Sequence, residues 1–153
     1  MPVDLAAENS GLHLVVARSL DAIGPTVMKV RDFALAYMNE ISAAEVELAL
    51  AEVLTNSIKH GQAHAREGTN ITVMAEAADG WLTVEVLDNV PVAPVGMFEL
   101  ITEDSLDFDP QDLESIPESG RGLALIVLTM DEVLLNVVAD HFSLRMRKKL
   151  PTH

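Results

Sequence analysis

With 153 residues, 49% hydrophobic and 22% charged, the chain has the size of one globular domain with a sizeable core. Its 24 acids against 10 bases give a formal charge of -14, which repels phosphodiester backbones and anionic membrane surfaces and favours a basic protein partner. The absence of cysteine excludes disulfides, thiolate catalysis and cysteine-ligated zinc, and suits a reducing compartment.

MPVDLAAENSG lacks the basic region and apolar run of a signal peptide, and no apolar run approaches the ~20 residues of a membrane span, so a cytoplasmic location is expected. Alternation then begins: Leu12, Leu14 and Val16 share one face of an opening strand. From Pro25 the period changes. Apolar residues recur at Val27, Val30, Ala34, Tyr37, Met38 and Ile41, the spacing of an amphipathic helix. Ser42-Ala43-Ala44-Glu45 has the form of a capping box, so a second helix is expected to start there and to end near Gly61.

Two strands follow, Ile71 to Ala77 and Leu82 to Asp88, joined by a turn containing Asp79-Gly80, a hairpin signal. In the second strand Leu82, Val84, Val86 and Asp88 share a face. A carboxylate in register with three core-facing aliphatics is costly to desolvate without a donor, so Asp88 sits at a wet strand end, binds something, or does both. Residues 89 to 119 carry four prolines, eight acids and no base, an irregular stretch longer than ordinary connections and typical of a lid or binding loop. Gly120-Arg121-Gly122 then opens an apolar run, expected to be helical through Met130 for its Leu, Ala and Met content. Strands from Val133 to Val138 and from Phe142 to Lys149 close the chain, with Phe142, Leu144 and Met146 inward and Ser143, Arg145 and Arg147 outward. The expected fold class is α+β: a two-layer sandwich, mostly antiparallel, with helices on one face and the whole of 1–153 forming one domain.

Two groups of residues suit chemistry. Glu52 and Asn56 are one helical turn apart, ~40° around the axis. A carboxylate and an amide oxygen so placed suit Mg²⁺, directly or through its waters, and the glutamate can also take a proton from an attacking hydroxyl. The same spacing equally describes a solvated polar face. Gly120 and Gly122 before a helix expose backbone amides to an anion, with Arg121 adding a charged donor. A flexible loop exit has the same form.

The order of these pieces, E-x-x-x-N on a helix, an acid ending a strand, a long connection and G-x-G before an apolar helix, resembles the GHKL ATPase superfamily. That superfamily shares the ATP-binding (Bergerat) fold of gyrase and the histidine kinases, and within it the likeness is to the anti-sigma factor serine/threonine kinases. ELALAEVLTNSIKHG is similar to the N box, VEVLDNVP to the first glycine box, SGRGLALIVLTMDEV to the second, and HFSLRMRKKL to the closing strand. The resemblance implies ATP and Mg²⁺ as cofactors, Asn56 as the Mg²⁺ ligand and Glu52 as the general base for a partner's serine. It further implies Asp88 as acceptor for the adenine amino group, and Gly120, Arg121 and Gly122 at the triphosphate beneath a lid spanning about 89–119.

The partners so implied are an anti-anti-sigma (STAS-domain) protein and a sigma factor, with no direct nucleic-acid or membrane contact. Self-association is common in the family, so the resemblance admits a homodimer, with the apolar first strand as a candidate interface. One position departs from the pattern. Val90 stands where the family's first glycine box has glycine, and a β-branched residue resists positive φ and fills space near the base. A second expectation therefore accompanies the kinase: a non-catalytic, partner-switching binding module with a degenerate nucleotide site.

Overall fold

The computed structural model describes residues 11–61, 70–88, 126, 129–138 and 141–151. The chain opens with strand β1 (Gly11–Ala17), a short 3-10 turn (Leu20–Ala22), helix α1 (Ile23–Leu35) and helix α2 (Glu40–Gly61). Strands β2 (Asn70–Ala78), β3 (Trp81–Asp88), β4 (Glu132–Val138) and β5 (His141–Lys149) complete a five-stranded sheet in the order β1-β2-β3-β5-β4. All four pairings are antiparallel. Ile126 and Thr129 are helical, and the Met130 amide donates to the Ile126 carbonyl at 3.0 Å. No helix among the described residues is long and apolar enough to cross a membrane.

The hairpin between β2 and β3 turns on two residues that both need positive φ, Asp79 at 55° and Gly80 at 84°. That pair is the signature of a type I′ turn, whose twist matches the strands it joins, and it pins the register in which Val73 faces Val86 and Ile71 faces Asp88. The Leu150 amide donates to the Gly80 carbonyl at 2.9 Å, so the end of β5 is tied to the same turn.

One face of the sheet is covered. Val16, Ile71, Val73, Val84, Val86 and Leu144 point to the helices and are buried. They meet Val30 and Ala34 of α1 and Val46, Leu50, Val53, Leu54 and Ile58 of α2 in a single apolar core. The period-two strands and three-and-four helix spacing thus converge on one interior, as expected for a two-layer α+β sandwich.

Two helix boundaries differ from the sequence expectation. The first helix ends at Leu35 and not near Ile41. The apolar spacing persists past that end because the chain leaves through a tightened turn, with Tyr37 and Met38 amides both donating to the Ala34 carbonyl at 2.9 and 3.0 Å, which keeps Met38 against the core. Ile41 instead lies in the first turn of α2, 75% exposed. The second correction is the cap: the Ser42 amide donates to Asn39 Oδ1 at 2.8 Å, so Asn39 caps α2 three residues before the expected serine. Glu45, freed from a capping box, pairs with Lys148 Nζ at 3.1 Å and joins the start of α2 to β5.

Candidate functional site

The stripe Val46, Leu50, Val53 and Leu54 of α2 is fully committed to the core, which fixes the helix's rotation about its axis. Glu52 and Asn56 then fall to one side of that stripe, and both are half-buried, at the border between core and solvent. Such a position keeps a carboxylate and an amide oxygen accessible while their backbone is held by packing beneath.

Asp88 is the last residue of β3 and lies on the covered face of the sheet, in line with Leu82, Val84 and Val86. It is 1% exposed, and so has met the requirement that a buried carboxylate find a donor. The donor is Arg18, one residue beyond β1. Its Nη2 donates to Asp88 Oδ1 at 2.5 Å and its Nη1 to Asp88 Oδ2 at 3.3 Å, a two-pronged contact that engages both carboxylate oxygens. Nη1 also donates to the Ser57 carbonyl of α2 at 3.3 Å.

One guanidinium therefore joins three elements: the exit of β1, the end of β3 and the C-terminal part of α2. Ser57 follows Asn56 directly, so the structure brings Asp88 to the same turn of α2 that carries Asn56. Close to a helix C-terminus the carbonyl ends carry partial negative charge, which favours a cation at that place. Arg18 is the site residue that sequence reasoning missed. The signal was present in the alternation Leu12, Leu14, Val16, Arg18, which puts a charge on the core side of the exit from β1, where it needs an opposite charge to receive it.

Among the described residues no three His, Asp or Glu side chains gather into a metal cage. A Mg²⁺ that is bound together with phosphates needs none, because it retains waters and takes only one or two protein oxygens. Gly120, Arg121 and Gly122, the 89–119 stretch and Val90 lie outside the described residues. Behind them in sequence, Lys148 Nζ donates to the Thr129 carbonyl at 2.6 Å while pairing with Glu45, which ties Thr129 to both α2 and β5.

The opposite face of the sheet holds a separate open cavity of about 250 Å³, lined by Met74, Glu76, Thr83, Glu85 and Arg145 among others. None of Glu52, Asn56 or Asp88 borders it, so the concavity and the candidate site are distinct.

Comparison with known proteins agrees with the fold. Residues 16–148 match the model of the histidine kinase-like ATPase domain. The chain is 33% identical over 141 residues to anti-sigma F factors of two Clostridium botulinum strains, Eklund 17B / Type B and Alaska E43 / Type E3, covering 90% of this chain and 82% of each relative. Among solved structures it is similar to the RsbU and RsbW domains of a Mycobacterium tuberculosis protein, with a TM-score of 0.65 at 17% identity. That match covers 94% of this chain and 33% of the mycobacterial one, and it speaks for the fold alone.

Proposed function

The chain belongs to the histidine kinase-like ATPase family, and from that premise we propose that it is an anti-sigma regulatory factor that binds Mg·ATP and phosphorylates a serine or threonine of an anti-anti-sigma (STAS-domain) partner. In its other state it sequesters a sigma factor. The observation that carries this reading is the placement of Asp88, a buried carboxylate at a strand end, beside the turn of α2 that bears Asn56. On this reading an acceptor for a base and an oxygen ligand for a metal-bound triphosphate share one site. The names of the anti-sigma F relatives support the regulatory half of the proposal.

The residues fit the cofactors by chemistry. Asn56 offers a hard amide oxygen and Glu52 a carboxylate on the same accessible side of α2, and Asp88 offers an acceptor for an amino group. Mg²⁺ supplies neutralisation of the triphosphate charge. Glu52 accepts the proton of the partner's hydroxyl as its oxygen forms a bond to the γ-phosphorus; the bond from that phosphorus to the β,γ-bridging oxygen breaks, and ADP leaves. Positioning of the two reactants, with the water excluded, accounts for most of the rate in such a transfer. Gly120, Gly122 and Arg121 are assigned to the phosphates in the same reading.

The test is a titration of the purified chain with a fluorescent ATP analogue, with and without Mg²⁺, followed by transfer of labelled γ-phosphate to a serine-bearing STAS-domain protein. Saturable, Mg²⁺-dependent binding is expected, lost in Asn56→Ala. Glu52→Ala keeps binding and loses transfer. No binding at saturating ATP defeats the proposal.

A second reading is favoured by one observation, the engagement of both Asp88 oxygens by Arg18, together with Val90 in the sequence. It is a partner-switching binding module that has lost turnover. It predicts partner binding indifferent to ATP, and nucleotide affinity gained on Val90→Gly.

A further inference from the structure

We propose that Arg18 is an internal competitor for the base-binding carboxylate and sets both the affinity and the selectivity of the nucleotide site; this rests on the reading that Asp88 accepts the base amino group. Arg18 Nη2 and Nη1 reach Asp88 Oδ1 and Oδ2 at 2.5 and 3.3 Å, so the guanidinium is bonded to both oxygens of the acceptor that this reading assigns to a purine amino group. With side-chain exposures of 6% for Arg18 and 1% for Asp88, the pair leaves no open approach to that carboxylate. A base that is to use Asp88 must therefore displace the guanidinium.

The exchange is unequal. A guanidinium gives the carboxylate two charge-assisted hydrogen bonds, whereas an amino group on a neutral base gives it one uncharged bond. Displacement thus weakens nucleotide binding relative to a site with a free carboxylate. It is nevertheless feasible, because Arg18 Nη1 has a second anchor at the Ser57 carbonyl, 3.3 Å away near the C-terminal end of α2, where a cation is favoured. Arg18 can release Asp88 without becoming a buried charge that lacks any partner. The same anchor keeps the displaced guanidinium beside the bound base, where it can donate to a carbonyl oxygen in the position of the amino group. A purine with a carbonyl there is then penalised less than Asp88 alone would dictate, and selectivity for adenine is compressed.

The experiment measures dissociation constants of wild type, Arg18→Gln and Arg18→Lys for Mg·ATP and for Mg·ITP, which carries a carbonyl in place of the amino group. Thermal melting confirms folding of each variant. Gln shortens the side chain and removes the charge, while Lys keeps the charge and loses the two-pronged geometry. The expected result is about tenfold tighter ATP binding by Arg18→Gln, the scale of one hydrogen bond of net worth, with a wider ATP over ITP preference and Arg18→Lys in between. Should Arg18→Gln fail to fold, Arg18→Lys alone carries the test, with tighter ATP binding than wild type still required. If wild type binds ATP and the folded Arg18 variants bind it equally or more weakly, the competitor role is overturned and the assignment of Asp88 stands. If neither wild type nor any variant binds ATP, the nucleotide-site reading itself is overturned and the competitor role with it.

Discussion

Arg18 and Asp88 form an ion pair that is nearly cut off from water, and its members come from the exit of β1 and the end of β3. Removing one member of such a pair takes from the other its opposite charge in a nearly dry place, so Arg18→Ala and Asp88→Ala are each expected to lower unfolding free energy by about 3–5 kcal/mol. The double variant should lose much less than the sum, because neither charge then remains without its counter-charge; urea unfolding of all four proteins reads the coupling. Additive losses would show that the two residues act separately. Glu52 and Asn56 behave differently, since both are half-buried polar side chains on the border of the core. Their alanine variants should unfold within about 0.5 kcal/mol of wild type. Asp88 was legible in the sequence, because period-two alternation put it in line with Leu82, Val84 and Val86 and so demanded a donor. Arg18 was less so: a lone cation just after a strand resembles an exit to solvent until the alternation is continued by one more step.

At the scale of elements, the start of α2 shows where a local pattern runs out. Asn39-x-x-Ser42 and Ser42-x-x-Glu45 are both acceptable capping sequences, and propensity does not choose between them. Tertiary structure chooses: Glu45 is drawn to Lys148 of β5, and the Asn39 side chain receives the Ser42 amide. Asn39→Ala should therefore cost about 1 kcal/mol in urea unfolding and Ser42→Ala much less, an order that a serine cap would reverse. The hairpin was clearer, because two consecutive residues with positive φ leave few alternatives to Asp79-Gly80. A Cβ at Gly80 would meet nothing within 4 Å, so the expected loss for Gly80→Ala, about 1–2 kcal/mol, is purely conformational. The first helix was read too long because Met38 remains in the core after the helix has ended, and burial alone does not mark where the hydrogen-bond ladder stops.

For the whole molecule, one apolar interior serves a sheet and two helices, and the remaining sequence carries a strong excess of acids. Self-repulsion among these charges opposes the compact state, and it weakens as the screening length falls from about 30 Å at 0.01 M salt to about 8 Å at 0.15 M. Melting temperature should accordingly rise over that range, whereas a fall would mean that favourable ion pairs outweigh the net charge. The architecture was legible because strand and helix periods alternate clearly along the chain. The candidate site was only half legible, since the core-facing carboxylate of Asp88 and the polar side of α2 follow from periodicity but the cation joining them depends on contacts between residues 18, 57 and 88. On the proposed function, α2 and the end of β3 form a site for a metal-bound nucleotide. Its most direct test is isothermal calorimetry of Mg·ATP against wild type and Asp88→Asn. One site per chain is expected in wild type, with at least tenfold weaker binding once the carboxylate becomes an amide; equal binding by the two proteins, or no heat from either, would contradict the proposed nucleotide site.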